Sequence, residues 1–191
     1  MAKLIYASIM SLDGFVEDES GRFDWSAPDE EAHRYLNDQE REVGTHLYGR
    51  RMYETMLVWE TDPSLGSHSP IMADYARIWQ SADKIVYSST LQSPSTTKTR
   101  IERRFDPEAV RRIVASADRE LTIGGSELAA QALKAGLVDE LRLYVVPVII
   151  GGGKPSLPRG KFIELELLSE HRFSGGWIHL RYQVVRDKTV R

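Results

Sequence analysis

Two glycine-containing junctions hold the residue types that bind phosphate. In Leu47-Tyr48-Gly49-Arg50-Arg51 and in Thr122-Ile123-Gly124-Gly125-Ser126-Glu127, a strand-like run passes into a helix-like run through glycine. Glycine lets a ligand approach the backbone, and the first N–H groups of a helix lack intrahelical partners and sit at the positive end of its dipole. In the second junction, the amides from Gly125 onward and the Ser126 hydroxyl suit a pyrophosphate. In the first, Arg50 and Arg51 suit a phosphate ester through charge and forked hydrogen bonding. Either junction alone is more simply read as a tight turn with solvated arginines. Together they match a ligand that carries both groups, as NADPH does.

Carboxylates near the end of the first apolar segment add a second kind of chemistry. A reductase that adds hydride to a C=N bond needs a proton delivered, or a heterocycle oriented, by a carboxyl group. Asp13, Asp29 and Glu30 are the candidates, although Asp13 before Gly14 equally makes a turn and the other two equally favour a helix start. Trp25 either floors a planar substrate or plugs the core. The histidines, His33, His46, His68, His171 and His179, show no metal-binding spacing, so no metal is expected. A G-x-G-x-x-G after the first strand, a Walker loop and a G-x-S-x-G elbow are all missing, which disfavours Rossmann, P-loop and hydrolase readings. Gly151-Gly152-Gly153-Lys154 is expected to end a strand, with a functional role only if it folds back over the pocket.

The elements that must position these residues follow from periodicity. Residues 3–12 (KLIYASIMSL) predict a strand covered on both faces and stopped by Asp13-Gly14. Ser26 and Pro28 ahead of Asp29-Glu30-Glu31 predict a helix start. Strands are expected at 45–48, 84–88 and 121–123, and helices at 50–59, 70–81, 107–117 and 127–135. Long strands at 140–150, 162–173 and 177–186 predict an antiparallel tail. The fold class is α/β, with a mixed, mostly parallel central sheet, antiparallel C-terminal strands and helices on both faces. The 191 residues show no internal linker, so one domain is expected over 1–191. No run approaches a membrane span, and an N-terminus without a secretory pattern implies a cytoplasmic protein. Zero cysteines exclude disulfides and thiolate chemistry, and a net charge of −3 makes nucleic acid an unfavoured partner. An exposed edge or face in the tail, with Val145 and Ile149, would be covered in a homodimer.

Several strings carry a resemblance: Ser11-Leu12-Asp13-Gly14, Leu47-Tyr48-Gly49-Arg50-Arg51-Met52-Tyr53-Glu54, Ile123-Gly124-Gly125-Ser126, and Gly136-Leu137-Val138-Asp139-Glu140-Leu141 through Pro147-Val148-Ile149-Ile150-Gly151-Gly152. In order and spacing they resemble the dihydrofolate-reductase-like superfamily, and within it stand-alone proteins related to the C-terminal reductase domain of RibD, over nearly the whole chain. The resemblance implies NADPH as cofactor. Gly49, Arg50 and Arg51 would meet its phosphates, Ser88, Ser89 and Thr90 its adenosine ribose, and Gly124, Gly125, Ser126, Glu127 and Leu128 its pyrophosphate. Ile9 would lie under the nicotinamide, facing a substrate pocket bounded by Asp13, Trp25, Glu30 and Met56. Asp13 and Glu30 become the catalytic candidates, and Trp25 and Met56 the substrate-binding ones. The reaction implied is reduction of 5-amino-6-(5-phosphoribosylamino)uracil, a small heterocyclic substrate. Riboflavin-pathway reductases commonly carry glutamate where this chain has Ile123, which keeps dihydrofolate or another pteridine open as substrate, alongside a nucleotide-binding module without catalysis.

Overall fold

The computed structural model describes residues 1–185, the His68 side chain excepted. The chain opens with β1 (Leu4–Ser11), a short β2 (Phe15–Glu17) and a 3-10 turn at Asp24–Ser26. Next come α1 (Glu30–Glu40), β3 (Val43–Gly49), α2 (Arg50–Met56), α3 (Val58–Thr61), α4 (Pro63–His68) and α5 (Pro70–Ser81). β4 (Asp83–Tyr87), β5 (Thr99–Glu102), α6 (Pro107–Ala115), β6 (Glu120–Gly124) and α7 (Ser126–Lys134) follow. The chain finishes with β7 (Glu140–Val146), β8 (Lys154–Pro155), β9 (Leu165–Arg172) and β10 (Ile178–Val184). Asp29, Ser69 and Asp106 cap α1, α5 and α6 by accepting from their open amides.

Eight strands form one sheet in the order β5-β4-β3-β6-β1-β7-β10-β9. Pairing is parallel from β5 through β7 and antiparallel for β7–β10 and β10–β9. One face is aliphatic: Leu4, Leu47, Leu121, Ile123, Leu141 and Leu143 pack with Leu128, Ala129, Ala132 and Leu133 of α7 and Val110 of α6. The other face is aromatic and partly polar. Tyr144, Val146, Phe173 and Trp177 gather with Ala32, Ile9 and Trp25, while Tyr48, Tyr53 and Trp79 gather with Met52, Met56 and Trp59. The three-layer α/β architecture and the antiparallel C-terminal end agree with the expectation from periodicity.

Boundaries differ where local chemistry overrides period. The helix expected at 50–59 breaks at Leu57, where Glu60 N–H reaches Leu57 O at 3.0 Å and tightens the turn. The strand expected at 140–150 stops at Val146, because Pro147 has no N–H for the ladder. It also belongs to both halves of the sheet, parallel to β1 and antiparallel to β10. The strand expected at 162–173 begins at Leu165, and that expected at 177–186 is Ile178–Val184, with Arg186 outside the described residues. The glycine triplet does not end β7; it leads into β8, which pairs with β2. Neither of these short strands, nor β5, was expected.

Beneath α1 and α5 the sheet carries ionisable groups. Glu140 is fully buried and accepts from Arg142 at 2.8 Å and Arg181 at 2.9 Å. The His46 ring stacks on Tyr48 (5.4 Å, 6°), donates or accepts at Thr122 Oγ1 (2.7 Å) and lies 3.9 Å from Glu40 Oε2. Burial pushes the Glu40 carboxyl up to about 7 against the pull of Arg142, and burial with the Lys84 charge pushes His46 down to about 3. Between those values both groups are neutral, so this contact is not an ion pair.

The two shifts act on stability in opposite directions. The folded chain retains the Glu40 proton that the unfolded chain releases near 4.5, so this group's contribution falls as pH rises from about 4.5 to about 7. His46, depressed from 6.5, removes stability as pH falls from 6.5 toward about 3. Glu40→Gln removes only the first slope. Relative to the parent chain, the variant should gain roughly 2–3 kcal/mol in urea unfolding between pH 5 and pH 8. A difference independent of pH contradicts the shift.

Candidate functional site

Because β3, β4, β6 and β1 run parallel, their C-terminal ends share one edge of the sheet, where ligands bind in open α/β folds. Gly49 ends β3 and begins α2; Gly124-Gly125 ends β6 and begins α7. Neither helix has a side-chain cap, so its first N–H groups are left without a side-chain acceptor. Gly125 has φ +89°, which excludes ordinary side chains. A Cβ there would stand 3.4 Å from Met52 Cβ and 3.9 Å from the Gly49 nitrogen, so the two junctions touch. At Gly124 a Cβ would fall 2.8 Å from the Tyr48 ring. Tyr48 and Met52 therefore fill the side-chain positions of both glycines, and the uncapped amides at the start of α7 are what the diphosphate of a dinucleotide would meet.

The paired arginines diverge. Arg50 Nη1 donates to Thr90 Oγ1 at 2.7 Å, and its Nε pairs with Glu54 Oε1 at 2.7 Å. Ser88 Oγ accepts from the amides of Thr90 (3.3 Å) and Leu91 (3.0 Å), shaping the loop that carries Ser89. Arg50 and the 88–90 loop therefore come together. Arg103, which the sequence reading passed over, braces the same loop by donating to Leu91 O at 2.6 Å. The Arg103-Arg104 pair was its only signal in the sequence. Arg51 turns the other way, to Glu17 at 3.3 Å. It faces a cavity of about 550 Å³ whose lining includes Glu17, Asp18, Gly21, Glu127 and Lys154.

At the far end of β1, Ile9 and Trp25 occupy one cluster, and the 3-10 turn holding Trp25 rests on β1. Met56 belongs to the neighbouring cluster with Trp59 and Tyr75. His33 meets both of those rings edge-on, at 6.1 Å and 5.7 Å. Among the described residues, buried Trp25 Nε1 and His33 Nδ1 meet no hydrogen-bond partner. Burial holds the His33 imidazole below its ordinary value. A single histidine on a helix gives no such signal in sequence.

The acids are engaged elsewhere. Asp13 is exposed and accepts from the Gly151 amide at 2.8 Å and the Ile150 amide at 3.3 Å. The Ser11 hydroxyl first, and then these amides, hold its carboxyl below the usual range. Glu30 is 76% exposed and pairs with Arg34 at 2.9 Å. Asp29 caps α1 through the Ala32 amide, and Glu31 accepts from the Ser174 amide at 2.9 Å. Thus the structure does not bring Asp13 or Glu30 together with Trp25 and Met56 through any hydrogen bond among the described residues. Among the described residues, no helix is long and apolar enough to cross a membrane.

Comparison with known proteins agrees with this fold. Protein YyaP of Bacillus subtilis (strain 168), itself uncharacterized, is 27% identical over 184 residues, covering 94% of each chain. A protein from Shewanella sp. PV-4 assigned to riboflavin biosynthesis superposes with a TM-score of 0.74 at 20% identity, covering 96% of this chain and 99% of that one. A bifunctional diaminohydroxyphosphoribosylaminopyrimidine deaminase/5-amino-6-(5-phosphoribosylamino)uracil reductase from Thermotoga maritima gives 0.62 at 15% identity, over 96% of this chain and 57% of that one. The model of the RibD C-terminal domain matches residues 2–179, and with it the touching glycine junctions find their family: this chain belongs to the RibD C-terminal domain family.

Proposed function

We propose that the chain is an NADPH-dependent reductase that delivers hydride to a pyrimidine- or pterin-like heterocycle, nominally 5-amino-6-(5-phosphoribosylamino)uracil. The observation that carries this reading is the contact between the Gly49 and Gly125 junctions, with Arg50 fixed at Thr90 beside them. Gly124, Gly125 and the amides of Ser126, Glu127 and Leu128 suit the diphosphate, and Gly49 keeps its approach open. Arg50 with Ser88, Ser89 and Thr90 suits the ribose bearing the 2′-phosphate. Arg51 stands on the diphosphate side. Bound NADPH would supply the hydride. Ile9 offers an apolar floor for the nicotinamide, and Trp25 Nε1 offers a donor toward the substrate from the same cluster. Met56 lines the adjoining wall. Placement in a dry cleft would supply most of the rate.

One observation favours a pteridine as the alternative substrate: Ile123, ahead of the glycine pair, is fully buried and puts an apolar group where riboflavin-pathway reductases commonly carry glutamate. Exposed Leu167 and Leu168 on the edge strand β9, with Ile149 near the other end, support a homodimer. We place the protein in the cytoplasm as a single domain.

The test is calorimetric titration with NADPH and NADH, followed by turnover with each heterocycle. NADPH should bind more tightly, and Arg50→Met should weaken it about tenfold to a hundredfold while changing NADH little. Equal binding of the two nucleotides contradicts the reading. Binding with no oxidation of NADPH by any heterocycle would favour the non-catalytic module.

Asp13 is proposed to hold the 147–153 loop rather than to donate the proton. Asp13→Ala should speed hydrogen exchange at the Gly151 amide about tenfold, without moving the pH profile of turnover. Loss of an ionisation from that profile would instead make Asp13 the donor.

A further inference from the structure

The segment Gly151-Gly152-Gly153-Lys154 has no part in the chemistry above, yet it folds back over the cleft. The Leu12 amide reaches Val148 O at 2.8 Å, the Gly151 amide reaches Asp13, and β8 pairs with β2. At Gly153, with φ +136°, a Cβ would fall 2.0 Å from the Glu17 carbonyl oxygen, so the backbone lies directly on β2. This close approach carries Lys154 to the wall of the 550 Å³ cavity, where its Nζ stands 2.7 Å from Glu127 Oε1 at the start of α7. On the other wall, Arg51 at the start of α2 pairs with Glu17 of β2 at 3.3 Å.

The two ion pairs are crossed. The small sheet contributes one acid, Glu17, and one base, Lys154; the helices contribute one base, Arg51, and one acid, Glu127. The exposures are unequal: Lys154 and Glu17 side chains are 22% and 17% exposed, whereas Glu127 is 81% and Arg51 is 68% exposed. Each pair thus has one exposed member, the Glu127 carboxylate in one and the Arg51 guanidinium in the other, and such half-solvated pairs hold weakly. A diphosphate presents more charge and more acceptor oxygens than one carboxylate, so it competes well for the same cations. The remaining acids on the lining, Asp18 and Glu19, leave the cavity net negative, which opposes anion entry unless both cations are turned toward the ligand.

We infer that Lys154 and Arg51 are the cation pair that grips the cofactor diphosphate, and that Glu127 and Glu17 are the internal counter-anions it displaces. The inference rests on the reductase reading for the identity of the ligand. In this arrangement Glu127 serves the cofactor through its backbone N–H, while its carboxylate competes with the cofactor for Lys154. Gly153 is what lets the chain cross β2 closely enough to present Lys154.

The experiment is calorimetric titration of the full chain with NADPH and, separately, inorganic pyrophosphate, with thermal unfolding of each variant as the check on folding. Glu127→Gln and Glu17→Gln should tighten both ligands about threefold to tenfold. Lys154→Met should weaken both about tenfold or more, and Lys154→Arg should restore most of the loss. Adenosine 2′-monophosphate, which lacks the diphosphate, should be indifferent to all four substitutions. Acid variants that bind NADPH unchanged or more weakly overturn the inference. If the parent chain binds neither NADPH nor NADH, the reductase reading falls and pyrophosphate decides: tightening by Glu127→Gln sustains the cation exchange, and absence of pyrophosphate binding overturns it.

Discussion

The contact of Tyr48 with Gly124 ties the sheet to the cleft. In the β3–β6 register these residues are direct partners, and the Tyr48 ring occupies the space that a side chain at 124 would need. The ring is also stacked on His46 and hydrogen-bonded through its hydroxyl to Trp79 Nε1 at 3.2 Å, so it has little freedom to move aside. Any larger residue at 124 would have to push β3 and β6 apart. That separation would in turn part Gly49 from Gly125, and the two helix starts would no longer face a common ligand. The packing beneath the junctions and the openness above them are thus one constraint.

The polar layer under α1 is costly to bury. Histidine, glutamate, tyrosine and arginine side chains fill a face that aliphatic residues would fill with less desolvation, as they do on the α7 side. Glu140 is satisfied by two guanidinium groups, but His46 Nε2 and His179 Nε2 are buried without partners among the described residues. Neutralising Glu40 and His46 by shifted ionisation removes the larger penalty, that of burying an uncompensated charge. The face therefore stays folded at the cost of a stability that depends on pH.

The sheet was legible because its strands are short apolar runs separated by helical periods, and the phosphate junctions because glycine sits where the period changes. The small sheet was not. β8 is only Lys154-Pro155, too short for any alternation, and its presence depends on Gly153 passing over Glu17 in space. Pro147 did signal the end of β7, but the apolar run through Ile150 hid it. Glu30 and Asp13 were singled out by type; the i,i+4 spacing of Arg34 to Glu30 is readable in the sequence, whereas the Gly151 amide that engages Asp13 is visible only in three dimensions. His33 and Arg103 were missed for the same reason, since each is defined by what surrounds it.

The central claim is that one dinucleotide spans both junctions at the parallel edge of the sheet. The most direct measurement is a map of backbone amide chemical shifts on adding NADPH to the isotopically labelled chain. The account predicts that the largest changes fall together on Gly49–Arg51, Ser88–Thr90 and Gly124–Leu128, saturating at one nucleotide per chain. Changes confined to one junction, or centred on β9 and β10, would contradict it.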